Sequence, residues 1–223
     1  MNGTLLQTLV WKGGNRAAAH AGILYSQYRP TGPGNPLLTT PLSTAFSAAF
    51  LPNPKASKFV GYGVATWQAI LDGSQVLPGD YFVAGSGQNN PTEQTFFIAS
   101  MQPLLPIMAV ETNETITVER SVTPGQVGLL PYGGERKSTM TTLLTDWPVS
   151  MLLKGKKEKN PTGLGSDTPQ TEMEVLLPFI QGVTPELWPG DFFVVPPMNV
   201  TYVAQNVELT DLGYRIRATL VIP

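Results

Sequence analysis

Two short motifs place a carboxylate in the same setting in the two halves of the chain. Pro78-Gly79-Asp80 precedes Tyr81-Phe82-Val83, and Pro189-Gly190-Asp191 precedes Phe192-Phe193-Val194. A pair of carboxylates could hold a divalent cation or share acid–base work. Neither aspartate has a histidine or further carboxylates at ligand spacing, so we interpret both motifs as structural turns. In such a turn proline presets φ, glycine permits a positive φ, and aspartate accepts hydrogen bonds from nearby backbone N–H groups.

The remaining candidates for catalysis are sparse. The one histidine, His20, falls in a predicted helix, and no serine lies in a Gly-x-Ser-x-Gly elbow. Glu172 and Glu174 share a strand face, where like charges indicate solvent exposure rather than a glycosidase pair. Gly163-Leu164-Gly165 lacks the strand-to-helix context of a phosphate-binding loop. We therefore predict no catalytic, cofactor-binding or metal-binding residues and no cofactor, and we expect that the protein is not an enzyme.

One basic cluster stands out in a chain of formal net charge −2. It comprises Lys154, Lys156, Lys157 and Lys159. The cluster opens a Gly-rich loop that ends near Thr171. Two interpretations stay open: a solvated loop, or a loop that faces phosphate backbone or an acidic partner, where repetition around a ring would build a strong local field.

Composition points to many short strands and to extensive contact with other protein. Charged residues make up 13% of the 223, against about 25% in ordinary globular domains. With 22 glycines and 21 prolines between β-branched and aromatic runs, the chain predicts an all-β fold. A pI near 5.4 argues against a generic nucleic-acid binder. The absence of cysteine excludes disulfides and favours folding in the cytosol. The sequence shows no signal peptide and no apolar run long enough to span a membrane.

The repeated motif sets the predicted organisation. Each copy is followed by a second strand-like run, Thr95–Ala99 or Thr201–Ala204, so we predict two tandem related small β-barrel or sandwich modules. Residues 1–56 are assigned a short N-terminal helix, over Asn15–Tyr28, and an extended arm. Residues 57–122 and 123–223 are the predicted first and second β-modules. The arm, Thr31–Ala56, is apolar enough either to pack on a neighbouring subunit or to form a strap over its own core.

Three stretches carry a resemblance to a known group of proteins. Ile23–Pro30, and Pro78–Val83 with the following Thr95–Ile107, resemble structural proteins of tailed-bacteriophage virions. Asp191–Leu220, with Gly190-Asp191 before an aromatic strand and Thr201-Tyr202-Val203 after it, is similar to the head-closure (stopper) and neck proteins of these phages. Those proteins typically carry one such module, whereas this chain carries two.

The resemblance implies a non-enzymatic role in the virion, which is assembled in the host cytoplasm. A ring of copies would form part of the neck, with portal, adaptor or tail proteins as partners, without a membrane and with non-specific contact to packaged DNA. Residues Lys154 to Lys159 would face the channel or a partner. The alternative is a tail-tip, baseplate or receptor-binding β-protein, in which Trp67, Trp147 or Trp188 could stack on sugars.

Overall fold

The protein is built from twelve strands that close into two barrels, as seen in a computed structural model describing residues 3–52, 65–85, 94–121, 140–153 and 172–221. One helix, α1 (Gly3–Ala21), precedes them. The first barrel contains β1 (Ile23–Tyr28), β2 (Ser43–Pro52), β3 (Thr66–Ile70), β4 (Tyr81–Ala84), β5 (Thr95–Ser100) and β6 (Ile107–Thr112). The second contains β7 (Glu114–Ser121), β8 (Met140–Leu153), β9 (Glu172–Leu177), β10 (Phe192–Val195), β11 (Val200–Thr210) and β12 (Gly213–Leu220). The predicted all-β fold with two tandem modules and an N-terminal helix is thereby confirmed.

The two barrels have the same topology. Their strand orders are β1-β2-β3-β6-β5-β4 and β7-β8-β9-β12-β11-β10, each closed between its last and first strand. Most of the register irregularities correspond, although β7–β8 has one further shift, between Val118 and Glu119. The β1–β2 register shifts between Tyr25 and Gln27, as the β7–β8 register does between Ile116 and Val118. The β5–β6 and β11–β12 pairs also shift at matching positions. Bulges bend strands and aid closure, so both halves achieve closure in the same way.

Each barrel encloses its own apolar core, supplied by alternate residues of its strands. In the first barrel the interior is aromatic, with Phe50 and Phe96 stacked at 4.1 Å between ring centroids and Phe82 beside them. In the second it is more aliphatic. Its fully buried members include Ile116, Val118, Leu144, Trp147, Val149, Val175, Leu177, Phe193, Val195, Ile216 and Ala218.

A single residue, and not a linker, connects the two barrels along the chain. The predicted division after residue 122 is wrong: β7 belongs to the second barrel, and β1 and β2 belong to the first. Only Asn113 separates β6 from β7. Its side chain exchanges hydrogen bonds with the backbone of Met151, donating to the carbonyl at 2.8 Å and accepting from the N–H at 2.7 Å. The Gly- and Pro-rich stretch that suggested a boundary instead connects β7 to β8, and residues 122–139 lie outside the described residues.

The helix prediction was correct in kind but displaced along the chain. Helix α1 ends at Ala21, so its second predicted half, Ile23–Tyr28, is strand β1. The transition occurs at Gly22, whose N–H donates to the Ala18 carbonyl at 2.8 Å. A Cβ at Gly22 would lie 2.5 Å from the carbonyl oxygens of Ala18 and Ala48. Only glycine therefore allows the chain to turn this closely against β2.

Part of the predicted arm is a barrel strand. Within Thr31–Ala56, residues Ser43–Pro52 form β2, which pairs with β1 on one side and β3 on the other. Leu37 packs in the contact between the barrels, and Pro33 accepts a hydrogen bond at 3.0 Å from the N–H of Thr145 in β8. This contact corresponds to the strap interpretation, because the segment closes its own structure.

A third apolar cluster joins the two barrels. It is formed by outward-facing residues of β4, β5 and β6: Tyr81, Phe97, Ala99 and Val110. Leu176 and Leu212 of the second barrel pack against them. The Tyr81 hydroxyl donates to the Pro148 carbonyl at 2.8 Å, and its ring meets the Trp147 ring edge-on. Each of these four residues of the first barrel is buried, so the contact is a continuous core rather than a hinge.

The two glycines of the repeated turns offer a matched test of this contact. Gly79 (φ +91°) and Gly190 (φ +95°) both adopt the left-handed conformation. A Cβ on Gly79 would collide with Ile180 of the second barrel, whereas nothing lies within 4 Å of one on Gly190. We expect Gly190→Ala to cost about 1–2 kcal/mol from backbone strain, and Gly79→Ala to cost about 1–3 kcal/mol more through overpacking.

Urea unfolding of the two variants measures the difference, with Ile180→Ala as the partner in a double-mutant cycle. Removing Ile180 should recover most of the extra cost of Gly79→Ala and none of the cost of Gly190→Ala. Equal costs for the two glycine variants would contradict the inter-barrel contact.

Buried tyrosines predict a loss of stability in alkali. Burial raises the pKa of Tyr25 to about 12 and raises that of Tyr81 well above its ordinary value. In the unfolded chain both would lose their protons near pH 10. Unfolding therefore releases protons above that pH, and the free energy of unfolding should be unaffected below about pH 10 and fall as pH rises towards 12. Urea unfolding from pH 9 to 11.5 measures the slope, and Tyr25→Phe should reduce it. An unchanged slope in that variant would contradict the assignment.

Candidate functional site

The first Pro-Gly-Asp turn is held together by its aspartate. Asp80 is 1% exposed and accepts hydrogen bonds from the guanidinium of Arg29 at 2.7 and 2.6 Å. It also accepts from the side chain of Gln27 and the backbone N–H of Leu77, each at 2.9 Å. Arg29 directly follows β1, and Asp80 directly precedes β4. The carboxylate thus ties together the two strands whose pairing closes the barrel.

The second turn repeats the arginine and backbone hydrogen bonds of the first. Asp191 is 2% exposed and accepts from the guanidinium of Arg120 at 2.7 and 2.8 Å and from the N–H of Trp188 at 2.8 Å. Arg120 lies in β7, at the position that corresponds to Arg29 by register. The glycines match as well: the N–H of Gly79 donates to Ile98 and that of Gly190 to Ala204. We call each set the Arg–Asp clamp.

The clamps use the two carboxylates as structural acceptors. The hydrogen bond to Asp80 is the main cause of the raised pKa of Arg29, and the hydrogen bond to Asp191 is the main cause for Arg120. Each carboxylate is therefore engaged by an arginine of its own barrel, and the structure supports the interpretation of both motifs as turns. Among the described residues, no group of three or more His, Asp or Glu side chains could hold a metal ion.

The other ionisable residues considered in the sequence do not form a common site among the described residues. His20 is exposed in the last turn of α1. Glu174 accepts a hydrogen bond from Arg215 at 2.6 Å, and Glu172 is exposed at the start of β9. The lysine cluster, Lys154, Lys156, Lys157 and Lys159, lies outside the described residues. It follows directly on the end of β8.

The three tryptophans considered for sugar stacking differ in their surroundings. Trp147 is buried in the second core. Trp67 packs edge-on against Phe96 at 5.4 Å. Trp188 is 47% exposed, and the guanidinium of Arg120 lies 4.2 Å from the centre of its ring. One face of Trp188 is therefore already covered by a cation, as part of the second clamp.

The outer face of α1 exposes several apolar side chains. Gln7, Trp11, Gly14 and Ala18 recur at helical spacing on the inner face, where Ala18 is buried and Gln7 accepts from the Leu104 N–H at 2.6 Å. On the outer face Leu5, Leu6, Leu9 and Val10 are all exposed. We call these four residues the outer helix face. Monomeric proteins rarely expose such contiguous apolar groups unless they contact another surface.

Sequence reasoning missed both arginines of the clamps and the outer helix face. No local pattern marks Arg29 or Arg120, because each lies about 50 to 70 residues from its aspartate. The helix face did have a signal: Leu5, Leu6, Leu9 and Val10 recur at the spacing of one helical stripe. The dense alanines at positions 17–21 instead favour a helix further along the chain.

Comparison with protein-family models, curated proteins and solved structures finds no match to this chain. Within the described part of the chain, none of the helical structure combines the length and apolar character needed to cross a bilayer.

Removing either clamp carboxylate should destabilise the protein. We expect Asp80→Ala and Asp191→Ala each to lower the free energy of unfolding by about 2–3 kcal/mol, because each leaves charged and backbone donors unpaired at a partly exposed site. Glu208→Ala, which removes an exposed carboxylate of β11, is the control and should change stability by less than about 0.5 kcal/mol. Urea unfolding makes the comparison. Aspartate variants as stable as the control would show that the clamps do not hold the barrels closed.

Proposed function

We propose that this protein is a non-enzymatic architectural component of a tailed-bacteriophage virion, forming part of the neck or head–tail connection as an oligomeric ring. The proposal is supported by the structural roles of the protein's side chains. The carboxylates of the repeated motif are engaged in clamps, the aromatic residues fill cores, and an apolar helix face is left exposed. That arrangement suits a rigid part that works through contact with other protein.

Rigidity favours the same role. A single residue joins the barrels, and a buried apolar cluster with the Tyr81–Pro148 hydrogen bond lies between them. A connector has to transmit position between larger assemblies, which a flexible pair of domains would do poorly. Obligate interfaces are also more apolar than free surfaces, in keeping with a chain that has only 13% charged residues.

The placement in a phage neck rests on the sequence resemblance of Ile23–Pro30, of Pro78–Val83 with Thr95–Ile107, and of Asp191–Leu220. In that setting the partners would be portal, adaptor or tail proteins, and the Lys154–Lys159 cluster would be directed at packaged DNA or an acidic partner. Localisation would be the virion, after assembly in the host cytoplasm.

A receptor- or carbohydrate-binding role at the tail tip or baseplate is the second candidate. Trp188 favours it, since its indole is half-exposed and lies against the guanidinium of Arg120. A glycan binder should bind host glycan or cells without other virion proteins, and Trp188→Ala should abolish that binding.

The test is made on particles. If the proposal holds, mass spectrometry of purified virions should detect the protein in a small fixed copy number. A nonsense mutation in its gene should yield DNA-filled heads and free tails that do not join. Normal infectious particles without the protein would refute the proposal. Assembled particles that no longer adsorb to cells would favour the receptor-binding role instead.

A further inference from the structure

The contact between the two barrels of one chain is head-to-tail. The first barrel contributes the outer face of β4, β5 and β6, through Tyr81, Phe97 and Val110. The second barrel contributes a different part of its surface, around Pro148 of β8 and Leu176 of β9. Because the barrels share one topology, each has both kinds of face. A head-to-tail contact leaves one face of each kind unused at the two ends of the pair.

At one end, the second barrel leaves the outer face of β10, β11 and β12 without a partner barrel. By strand register, Phe192, Val194 and Val203 correspond to Tyr81, Val83 and Phe97. These three side chains are half-buried, whereas Tyr81 and Phe97 are fully buried in the cluster that joins the two barrels. We call Phe192, Val194 and Val203 the acceptor face. These residues are apolar like their counterparts, whereas Gln205 and Thr219 stand where the first barrel has Ala99 and Val110.

At the other end, α1 lies against the matching strands of the first barrel. The helix packs against β2 and β3, which are the counterparts of β8 and β9. The helix therefore takes the place that a preceding barrel would occupy, and it presents the outer helix face in turn. Leu9, at its centre, is 55% exposed.

Charge favours contact between these two ends. Helix α1 contains Lys12 and Arg16 and no acidic residue. Beside the acceptor face, Glu119 is the cross-strand neighbour of Phe192, and Glu172 is the neighbour of Thr219. Neither glutamate forms an ion pair with any residue in the described ranges. Arg217 also borders this face, where it pairs in register with Glu174. A basic helix meeting a face flanked by acidic groups would be steered into register.

We propose that copies of this chain associate head-to-tail, with the outer helix face of one copy seated on the acceptor face of the next. This inference rests on the proposed function, since it names the contact by which the ring would be built. A head-to-tail contact generates a closed ring when its rotation closes and a filament when it does not. The occupant of the acceptor face is thus a second copy of the same chain.

The experiment uses the full chain and one charge at each end. Leu9→Glu disables the outer helix face, and Val203→Glu disables the acceptor face, since a charge buried in an apolar contact is costly. Sedimentation equilibrium over a range of concentrations should show self-association of the unaltered protein. Each variant alone should raise the dissociation constant at least tenfold. Leu38→Glu, at a site that is 82% exposed on the loop after β1, should leave it unchanged.

Mixing the two variants gives the decisive result. Leu9→Glu retains the acceptor face and Val203→Glu retains the outer helix face. An equal mixture should therefore form a one-to-one dimer and nothing larger. Circular dichroism verifies folding, and Val194→Glu replaces Val203→Glu if that variant fails to fold.

Three results would overturn the inference. The first is a monomer at the highest soluble concentration. The second is a loss of association in Leu9→Glu with none in the acceptor-face variant, which would mean that the helices pair with each other. The third is a mixture that does not dimerise. None of them bears on whether the protein is found in virions, so the proposed function stands or falls by its own test.

Discussion

Barrel closure in this protein depends on a buried carboxylate that sits just before the closing strand. A short strand such as β4 or β10, each of four residues, has few ladder hydrogen bonds with which to define its pairing. Asp80 and Asp191 add a fixed point by accepting from the arginine of the neighbouring strand and from a backbone N–H of their own turn. A buried acceptor with several charged and backbone donors is satisfied in only one arrangement, so the clamp sets both the turn and the register.

The two clamps differ in what surrounds them, and the differences follow the position of each barrel. Gln27 adds a further donor to Asp80, whereas Val118 occupies the corresponding position in the second barrel. Leu77 precedes the first turn and Trp188 the second, where Arg120 lies over the indole ring. Gly79 faces Ile180 across the inter-barrel contact, and Gly190 faces open space. The two clamps therefore share the carboxylate and its arginine. The residues around each clamp differ with the surface that the clamp faces.

Sequence reasoning found the part of this design that is local. The Pro-Gly-Asp motif and the aromatic strand that follows it lie within six residues. The duplication, the turns and the all-β class could therefore be predicted from the sequence. The clamp arginines could not be predicted, because an ion pair between the strands that close a barrel joins residues far apart in the chain. Strand β2 was interpreted as part of an arm for a related reason. Its run of Ser, Thr, Ala and Phe has no clean alternation, and pairing with β1 and β3 decides its conformation.

The internal duplication also explains why the chain exposes apolar surface at both ends. When two like barrels pack head-to-tail, evolution can convert one copy of each face into a permanent core, as with Tyr81 and Phe97. The other copy is free to become polar unless something covers it. At the acceptor face Gln205 and Thr219, which hydrogen-bond to each other at 2.9 Å, stand at the positions of Ala99 and Val110, whereas Phe192 and Val203 are apolar. A face that is polar at one edge and apolar at its centre resembles an intermittent contact more than a permanent core or a free surface. Apolar residues in only part of this face fit the proposed contact between separately folded copies, because each copy would have to stay soluble before it meets the next.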